Sequence, residues 1–354
     1  MTDKFDYDLF IVGAGSGGVR AARMAASQGA RVGVAEDRDL GGTCVNVGCV
    51  PKKLFVYASK FPDIFHIGNS YGWSFDSAKF DWHALRDNKN SEIARLNTIY
   101  ADLLNSSGAD LFSERAFLKG PNTVIVGGKS YSARYILLAV GGWPYIPEFP
   151  GSQYALSSNE MFFLERLPET AVVVGGGYIA LEFAGILNGL GVSTHLIYRG
   201  QRLLKSFDSE MTDKVEQGMR SKGVKIHLNT KVDSIEFVNE SHDVFLSDGR
   251  CVSADLVLYA TGRRANTNHL GLENTSVKTR HDGSIIVDKD FRTHEPSIFA
   301  LGDVIDRVQL TPVAIQEAMV LVDHLFGKAE QTIDYLNIPT AVFSQPEFAS
   351  VGLT

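Results

Sequence analysis

The sequence predicts an α/β protein in which one βαβ unit occurs twice. Three observations carry this. The β-branched apolar run Tyr7–Val12 leads directly into Gly13-Ala14-Gly15-Ser16-Gly17-Gly18, after which Val19–Gln28 reads as an Ala-rich helix and Arg31–Glu36 as a second strand. The same order returns with strand Ala171–Val174, turn Gly175-Gly176-Gly177-Tyr178-Ile179-Ala180, helix Leu181–Leu190 and strand Ser193–Arg199. Glycine, at 34 of 354 residues, exceeds the usual share of about 7% and suits backbone that turns sharply or lies close to a ligand.

Between the two units, residues 55–105 are rich in aromatic and polar residues, and the later part has helical spacing. Short strands are predicted over Ala109–Leu118, Thr123–Val126 and Tyr135–Val140. Pro144, Pro147 and Pro150-Gly151 then punctuate a domain boundary. After the second unit, Val232–Arg250 alternates as a β-meander with a turn at Ser247-Asp248-Gly249. Strands are expected at Leu256–Ala260, Ser284–Val287 and Ile298–Leu301, and a helix over Pro312–Phe326. New strands begin in Asn337–Thr354.

Composition excludes several classes. The chain is 44% hydrophobic and 21% charged, which is globular and neither disordered nor collagen-like. Its net charge of −7 disfavours a dedicated nucleic-acid binder. Three cysteines, Cys44, Cys49 and Cys251, make neither a secreted disulfide scaffold nor a Cys-rich zinc site, so no metal centre is expected. No apolar run reaches the ~18 residues of a membrane span. The acidic start Met1–Asp6 is unlike a signal peptide, and the expected compartment is the cytoplasm.

Two glycine-rich turns, each between strand and helix, point to dinucleotides whose pyrophosphates sit on helix N-termini. Gly13 and Gly15 permit the tight turn and the close approach, and Gly18 lets helix and sheet pack. Glu36, 23 residues after Gly13, is placed to accept hydrogen bonds from a ribose with free hydroxyls. At the same offset from Gly175 stands Tyr198, followed by Arg199 and then Lys205. A missing acid and added cations suit a 2′-phosphate, so the second site is expected to take NADP(H); the bland alternative is two solvated surface charges.

Cys44 and Cys49 follow the first unit in Gly41-Gly42-Thr43-Cys44-Val45-Asn46-Val47-Gly48-Cys49-Val50-Pro51-Lys52-Lys53. A redox dithiol is favoured over a structural disulfide or zinc. The pair can be bridged if a helix begins at Cys44, where the helix N-terminus would also favour the thiolate.

These motifs, with Gly262-Arg263 in Ala260–Arg263, Asp303 in Ala300–Asp303, and Thr311–Ala314, resemble the pyridine nucleotide–disulfide oxidoreductases over the whole chain. The resemblance implies two Rossmann-like three-layer domains with β-meander insertions: an FAD-binding domain (1–150), an NADPH-binding domain (151–265), the FAD domain's second part (266–336), and the start of a dimerisation domain (337–354). It implies FAD on Gly13, Gly15, Ser16, Gly17, Gly18, Glu36, Gly42, Thr43, Asp303 and Thr311. NADPH would lie on Gly175, Gly177, Tyr178, Ile179, Arg199, Lys205, Gly262 and Arg263, with Tyr178 gating the nicotinamide. Lys52, paired with Glu182, would stand near the flavin. Cys49 would face the flavin as thiolate, and Cys44 would attack a substrate disulfide. Cys49 would then resolve the mixed disulfide.

Within the family, the residues resemble the branch that reduces glutathione disulfide. Arg20 and Arg23 on the first helix, with Tyr100, suit a substrate bearing carboxylates, whereas a trypanothione-like substrate would meet an acid and a Trp there. Met319 departs from an arginine common in that branch. The family's dimerisation domain, with its His-Pro-Thr motif and acid/base pair, would follow Thr354, so the chain is expected to be truncated and, alone, to lack full activity; a homodimer is expected of the full-length form. The alternatives are reduction of another disulfide and a redox sensor that binds FAD and NADPH without turnover.

Overall fold

The computed structural model describes residues 5–75, 78–327 and 332–352. Met1–Lys4 and the last two residues, parts of the expectations about both ends of the chain, lie outside the described residues. The helices are α1 (Ser16–Ser27), α2 (Gly42–Asn46), α3 (Cys49–Ser59), α4 (Phe61–Ser70), α5 (Trp82–Ser107), α6 (Tyr178–Gly189), α7 (Ser209–Ser221) and α8 (Thr311–Phe326). The chain forms two compact units, each made of three segments: unit 1 is 1–46, 92–143 and 263–335, and unit 2 is 47–91, 144–262 and 336–354. Residues 47–91, expected with the first nucleotide-binding domain, therefore pack in unit 2.

In unit 1, five strands run parallel in the order Asp110–Phe112, Val32–Ala35, Tyr7–Val12, Lys129–Leu138, Ile298–Ala300. Tyr7–Val12 is central and almost wholly buried, which is why it reads as a continuous apolar run. The first half of Lys129–Leu138 also pairs antiparallel with Thr123–Val126, which pairs with Ala116–Gly120, forming a meander on the same sheet. Helices α1 and α8 pack against each other. Gly17 makes that possible, since a Cβ there would come within 2.4 Å of the Leu301 side chain and 3.2 Å of the Ala314 carbonyl oxygen.

Unit 2 carries a four-stranded parallel sheet in the order Lys225–His227, Ser193–Ile197, Thr170–Val174, Leu256–Tyr259. Strand alternation divides its apolar residues between two layers. Ala171, Val173, Leu196 and Leu258 share a core with Leu181, Phe183 and Ala184 of α6. Val172, Val174, Val257 and Tyr259 share another with Ile235, Val244 and Leu246 of the antiparallel meander 232–254. Meander, sheet and helix make the three layers.

Several elements differ from the sequence reading. Helix α1 begins at Ser16, inside the glycine turn, because Gly15 in extended backbone serves as its cap residue. Ala109–Leu118 splits in two, since its halves find different partners. Ser284–Val287 is not a strand; one isolated bridge joins Thr279 to Ile285 across a turn that Asp282 closes by accepting from Ser284 N and Oγ. The helix start at Cys44 that is the condition for bridging the pair is not where a helix begins: α2 starts two residues earlier, and α3 starts at Cys49. Asn46 ends α2 by turning its amide Nδ2 back to the carbonyls of Leu40 and Gly42, both at 3.0 Å.

Candidate active site

The first glycine turn in unit 1 is a cradle that side chains would fill. Gly13 has φ +103°, and a Cβ on it would lie 2.5 Å from the Ala139 carbonyl oxygen. A Cβ on Gly18 would lie 1.9 Å from the Gly13 oxygen, and one on Gly42 would lie 2.7 Å from the Gly15 Cα. Gly15, Ser16, Thr43, Cys44, Asp303 and Thr311 line one cleft. Just after the strand Val32–Ala35, Glu36 Oε2 accepts from Ala14 N at 2.8 Å and Oε1 from Arg38 N at 3.1 Å. Burial, opposed by those two hydrogen bonds, raises the Glu36 carboxyl above its usual range. The crowded backbone, the N-terminus of α1, and an acid at the strand end fit the pyrophosphate and ribose of FAD.

Asp303 lines the same cleft as the glycine turn. Burial raises its carboxyl, and the Arg263 guanidinium 3.5 Å away pulls it back. Arg263, expected to help hold NADPH, sends that guanidinium into this cradle: Nη2 donates to the Gly142 carbonyl and lies 3.4 Å from Thr43 Oγ1. Its side chain is only 7% exposed, so the half-buried Asp303 and the backbone carbonyl supply the partners a buried cation requires.

Cys44 lies in α2, half-buried in unit 1, while Cys49 is exposed at the first position of α3 in unit 2. Around Tyr100, unit 1 brings Cys44 together with the two arginines expected to meet substrate. Burial is the main cause that raises the Tyr100 hydroxyl's pKa; Cys44 adds to it, and Arg20 and Arg23 oppose it, so all three lie within electrostatic reach of Tyr100. Arg20 and Arg23 are both half-buried on α1, as is Met319 on α8. Cys251 is exposed on the strand Cys251–Ala254, where slight burial and the carboxylates of Asp243 and Glu236 keep its thiol protonated.

In unit 2, Gly175 has φ +148° and its Cβ would meet the Ala260 oxygen at 2.4 Å. Gly177 and Gly262 are open, with no atom within 4 Å of a Cβ on either. Tyr178 is exposed at the start of α6 and Ile179 half-buried behind it. The Tyr198 ring lies against the turn, 2.6 Å from where a Gly176 Cβ would be, and Arg199 and Lys205 beyond it are exposed. A glycine turn at a helix start with two solvent-facing cations beside it fits a dinucleotide bearing an extra phosphate.

One turn after Cys49 on α3, Lys52 Nζ donates to Glu182 Oε1 of α6 at 2.8 Å. Glu182 also accepts from Phe343 N at 2.9 Å, and the Lys52 ammonium stands 4.2 Å over the Phe343 ring. The pair is nearly sealed from water, so this cation is fixed in place.

Sequence reasoning missed Glu317. It is 1% exposed on α8, accepts from Gly302 N at 2.6 Å, the residue before Asp303, and from the Tyr335 hydroxyl at 2.7 Å. The available signal was an acid at the buried spacing of Val313, Ala314, Ala318 and Leu321. Among the described residues no group of three or more His, Cys, Asp or Glu could hold a metal, and no helix is long and apolar enough to cross a membrane.

Comparison with known proteins agrees with this geometry. A family model described as pyridine nucleotide-disulphide oxidoreductase matches residues 7–318. A glutathione reductase of Burkholderia cepacia is 43% identical over 351 residues, covering 99% of this chain and 78% of that protein. One from Nostoc sp. is 42% identical over 362 residues, with 99% and 79% covered. A chloroplastic/mitochondrial glutathione reductase of Pisum sativum is 45% identical over 363 residues, with 99% and 66% covered. With two glycine cradles, a dithiol segment and a sealed Lys52–Glu182 pair on one chain, this protein belongs to the pyridine nucleotide-disulphide oxidoreductase family.

Proposed function

We propose that this chain is an NADPH-dependent flavoprotein disulfide reductase that reduces glutathione disulfide through FAD and the Cys44–Cys49 dithiol. The observation that carries the substrate is the grouping of Cys44, Arg20 and Arg23 about Tyr100. Two arginines match the carboxylates of glutathione and repel a polyamine-bridged disulfide. The FAD cradle is Gly13–Gly18, Glu36, Gly42, Thr43, Asp303 and Thr311, joined by Arg263; NADPH lies along Gly175–Ile179, Gly262, Arg199 and Lys205. A homodimer in the cytoplasm completes the reading.

FAD, when bound, would take hydride from NADPH and supply the two electrons that open the Cys44–Cys49 disulfide to the dithiol. The protein's residues do the rest. The Cys44 thiolate attacks one sulfur of glutathione disulfide and expels one glutathione thiolate, which takes a proton. The Cys49 thiolate then attacks the Cys44 sulfur, releasing the second glutathione and closing the Cys44–Cys49 disulfide. Lys52, held in place by its pair with Glu182, provides positive charge that stabilises negative charge as it develops.

The test is anaerobic titration of the flavin-loaded protein with NADPH. A long-wavelength thiolate–flavin absorbance at two-electron reduction is expected; Cys49→Ser should abolish it with FAD still bound, and Cys251→Ser should leave it intact. Simple bleaching of the unsubstituted protein would refute the dithiol mechanism in favour of a non-turnover sensor.

A further inference from the structure

The parallel sheet of unit 2 carries two imidazoles in direct contact at its edge. His195 lies on Ser193–Ile197 and His227 on the edge strand Lys225–His227, which pair in parallel. His195 Nδ1 and His227 Nε2 are 3.1 Å apart, and the ring planes differ by 6°. From the meander, Arg250 Nη1 lies 2.8 Å from His227 Nδ1, and Arg250 Nε is held by Asp248 Oδ2 at 3.0 Å.

A guanidinium only donates, so His227 Nδ1 accepts and its neutral ring carries the proton on Nε2. That N–H donates to His195 Nδ1, which leaves the His195 proton on Nε2, opposite the Lys225 ammonium, whose own protons have Ser193 Oγ at 3.2 Å as acceptor. Arg250 thereby sets the role of all four ring nitrogens. A proton added to either Nδ1 would place donor against donor. The surrounding charges oppose such a proton as well: Lys225, its Nζ 3.4 Å from His195 Nε2, and Arg250 act on both rings and Arg220 on His227, with only Asp248 favouring it. Burial, the largest cause, and these cations hold His227 below its ordinary pKa and His195 at about 4.

The other end of this chain reaches the turn that carries Arg199. The His227 carbonyl accepts from Tyr198 N at 2.9 Å, Thr230 N donates to Tyr198 O at 3.1 Å, and Asn229 N to Gly200 O at 3.0 Å. The Tyr198 ring is packed between Gly176 and Gly200, where a Cβ would come within 2.6 Å and 2.5 Å of it.

We propose that Arg250, His227 and His195 form a positioning device for the Tyr198–Arg199 turn, which sets NADPH affinity by locking both imidazoles in one neutral, ordered arrangement. The proposal rests on the NADPH site assigned above. His195, His227 and Arg250 are positioning residues and touch no reacting atom.

The test replaces Arg250 with Met in the flavin-loaded protein and measures the NADPH concentration for half-maximal flavin reduction between about pH 5.5 and 8. Variant and wild type are compared as a ratio, because the 2′-phosphate itself ionises with a pKa of about 6. With His227 Nδ1 freed to take a proton, the ratio should stay within about twofold at pH 8 and rise about fivefold or more at pH 5.5. The limiting rate should not change. The His195 and His227 ring-proton resonances, read without NADPH, should titrate at higher pH in the variant than in the wild type. Arg250→Met with His227→Asn should remove the pH dependence of the ratio. A pH-independent ratio in the single variant, with the imidazoles titrating as expected, overturns the proposal. So does an unchanged imidazole titration. Failure of NADPH to reduce the wild-type flavin at any pH would instead overturn the NADPH assignment.

Discussion

Lys52 Nζ stands 2.8 Å from Glu182 Oε1, with the two side chains 11% and 4% exposed. An ion pair so enclosed is costly to break from one side, because the remaining charge has no solvent to turn to. Glu182→Ala should therefore lower the stability of the flavin-loaded protein by about 3–5 kcal/mol in denaturant unfolding. The double variant Lys52→Met, Glu182→Leu should regain most of that stability while flavin reduction stays slow in stopped-flow. Recovery of both together would show that the pair acts only in packing.

Cofactor choice rests on Arg199 and Lys205. Both are exposed, so each contact with a 2′-phosphate is placed at the low end of charge-assisted hydrogen bonds, about 1.5 kcal/mol. Arg199→Leu with Lys205→Leu should reduce kcat/KM for NADPH about a hundredfold and leave NADH within about twofold. Equal losses for the two nucleotides in the flavin-reduction assay would show that these cations do not read the phosphate.

Arg23 is the clearest handle on the disulfide. Reversing its charge, Arg23→Glu, should raise KM for glutathione disulfide about tenfold or more, with NADPH-driven flavin reduction unchanged. A cationic disulfide should be used better by the variant than by the wild type, since repulsion supplies part of the discrimination. Steady-state kinetics with both disulfides tests this in one experiment, and unchanged KM values would move the substrate elsewhere.

Glu317 gives a pH dependence with a definite sign. Burial, opposed by hydrogen bonds from Tyr335 and Gly302, raises its pKa in the folded state. Its contribution to stability is thus complete below the unfolded carboxyl pKa and is lost as pH rises through the folded value. A Gln at this position still accepts from Gly302 N and never ionises. Glu317→Gln should melt higher than the wild type at pH 7–8, and the difference should vanish at about pH 4. A lower melting temperature at neutral pH would mean that the charged carboxylate is the stabilising form.

Much of the fold is legible locally. Tyr7–Val12 and Thr123–Val126 match the strands read from their apolar runs, and both glycine turns lie between the strands and helices expected. Each signal fits within a dozen consecutive residues. Ser284–Val287 shows the limit: its composition suits a strand, yet a strand also needs a neighbour, and only one isolated bridge forms. The helix break between Cys44 and Cys49 likewise depends on Asn46 bonding back to Leu40 and Gly42, with Asn97 donating to Asn46 Oδ1 from a distant part of the chain.

The sequence by itself determined the two nucleotide folds, the dithiol segment and the cations beside each turn, because glycine's backbone freedom and hydrophobic periodicity act over short stretches. Tertiary structure alone decided the environment of each charge. It joined Lys52 to Glu182 across 130 residues, turned Arg263 toward Asp303, buried Glu317 beneath Gly302, and aligned Arg250, His227 and His195 into one donor chain. Burial and the arrangement of hydrogen-bond partners set the energy of an ionisable group, and both arise only when segments far apart in sequence pack together.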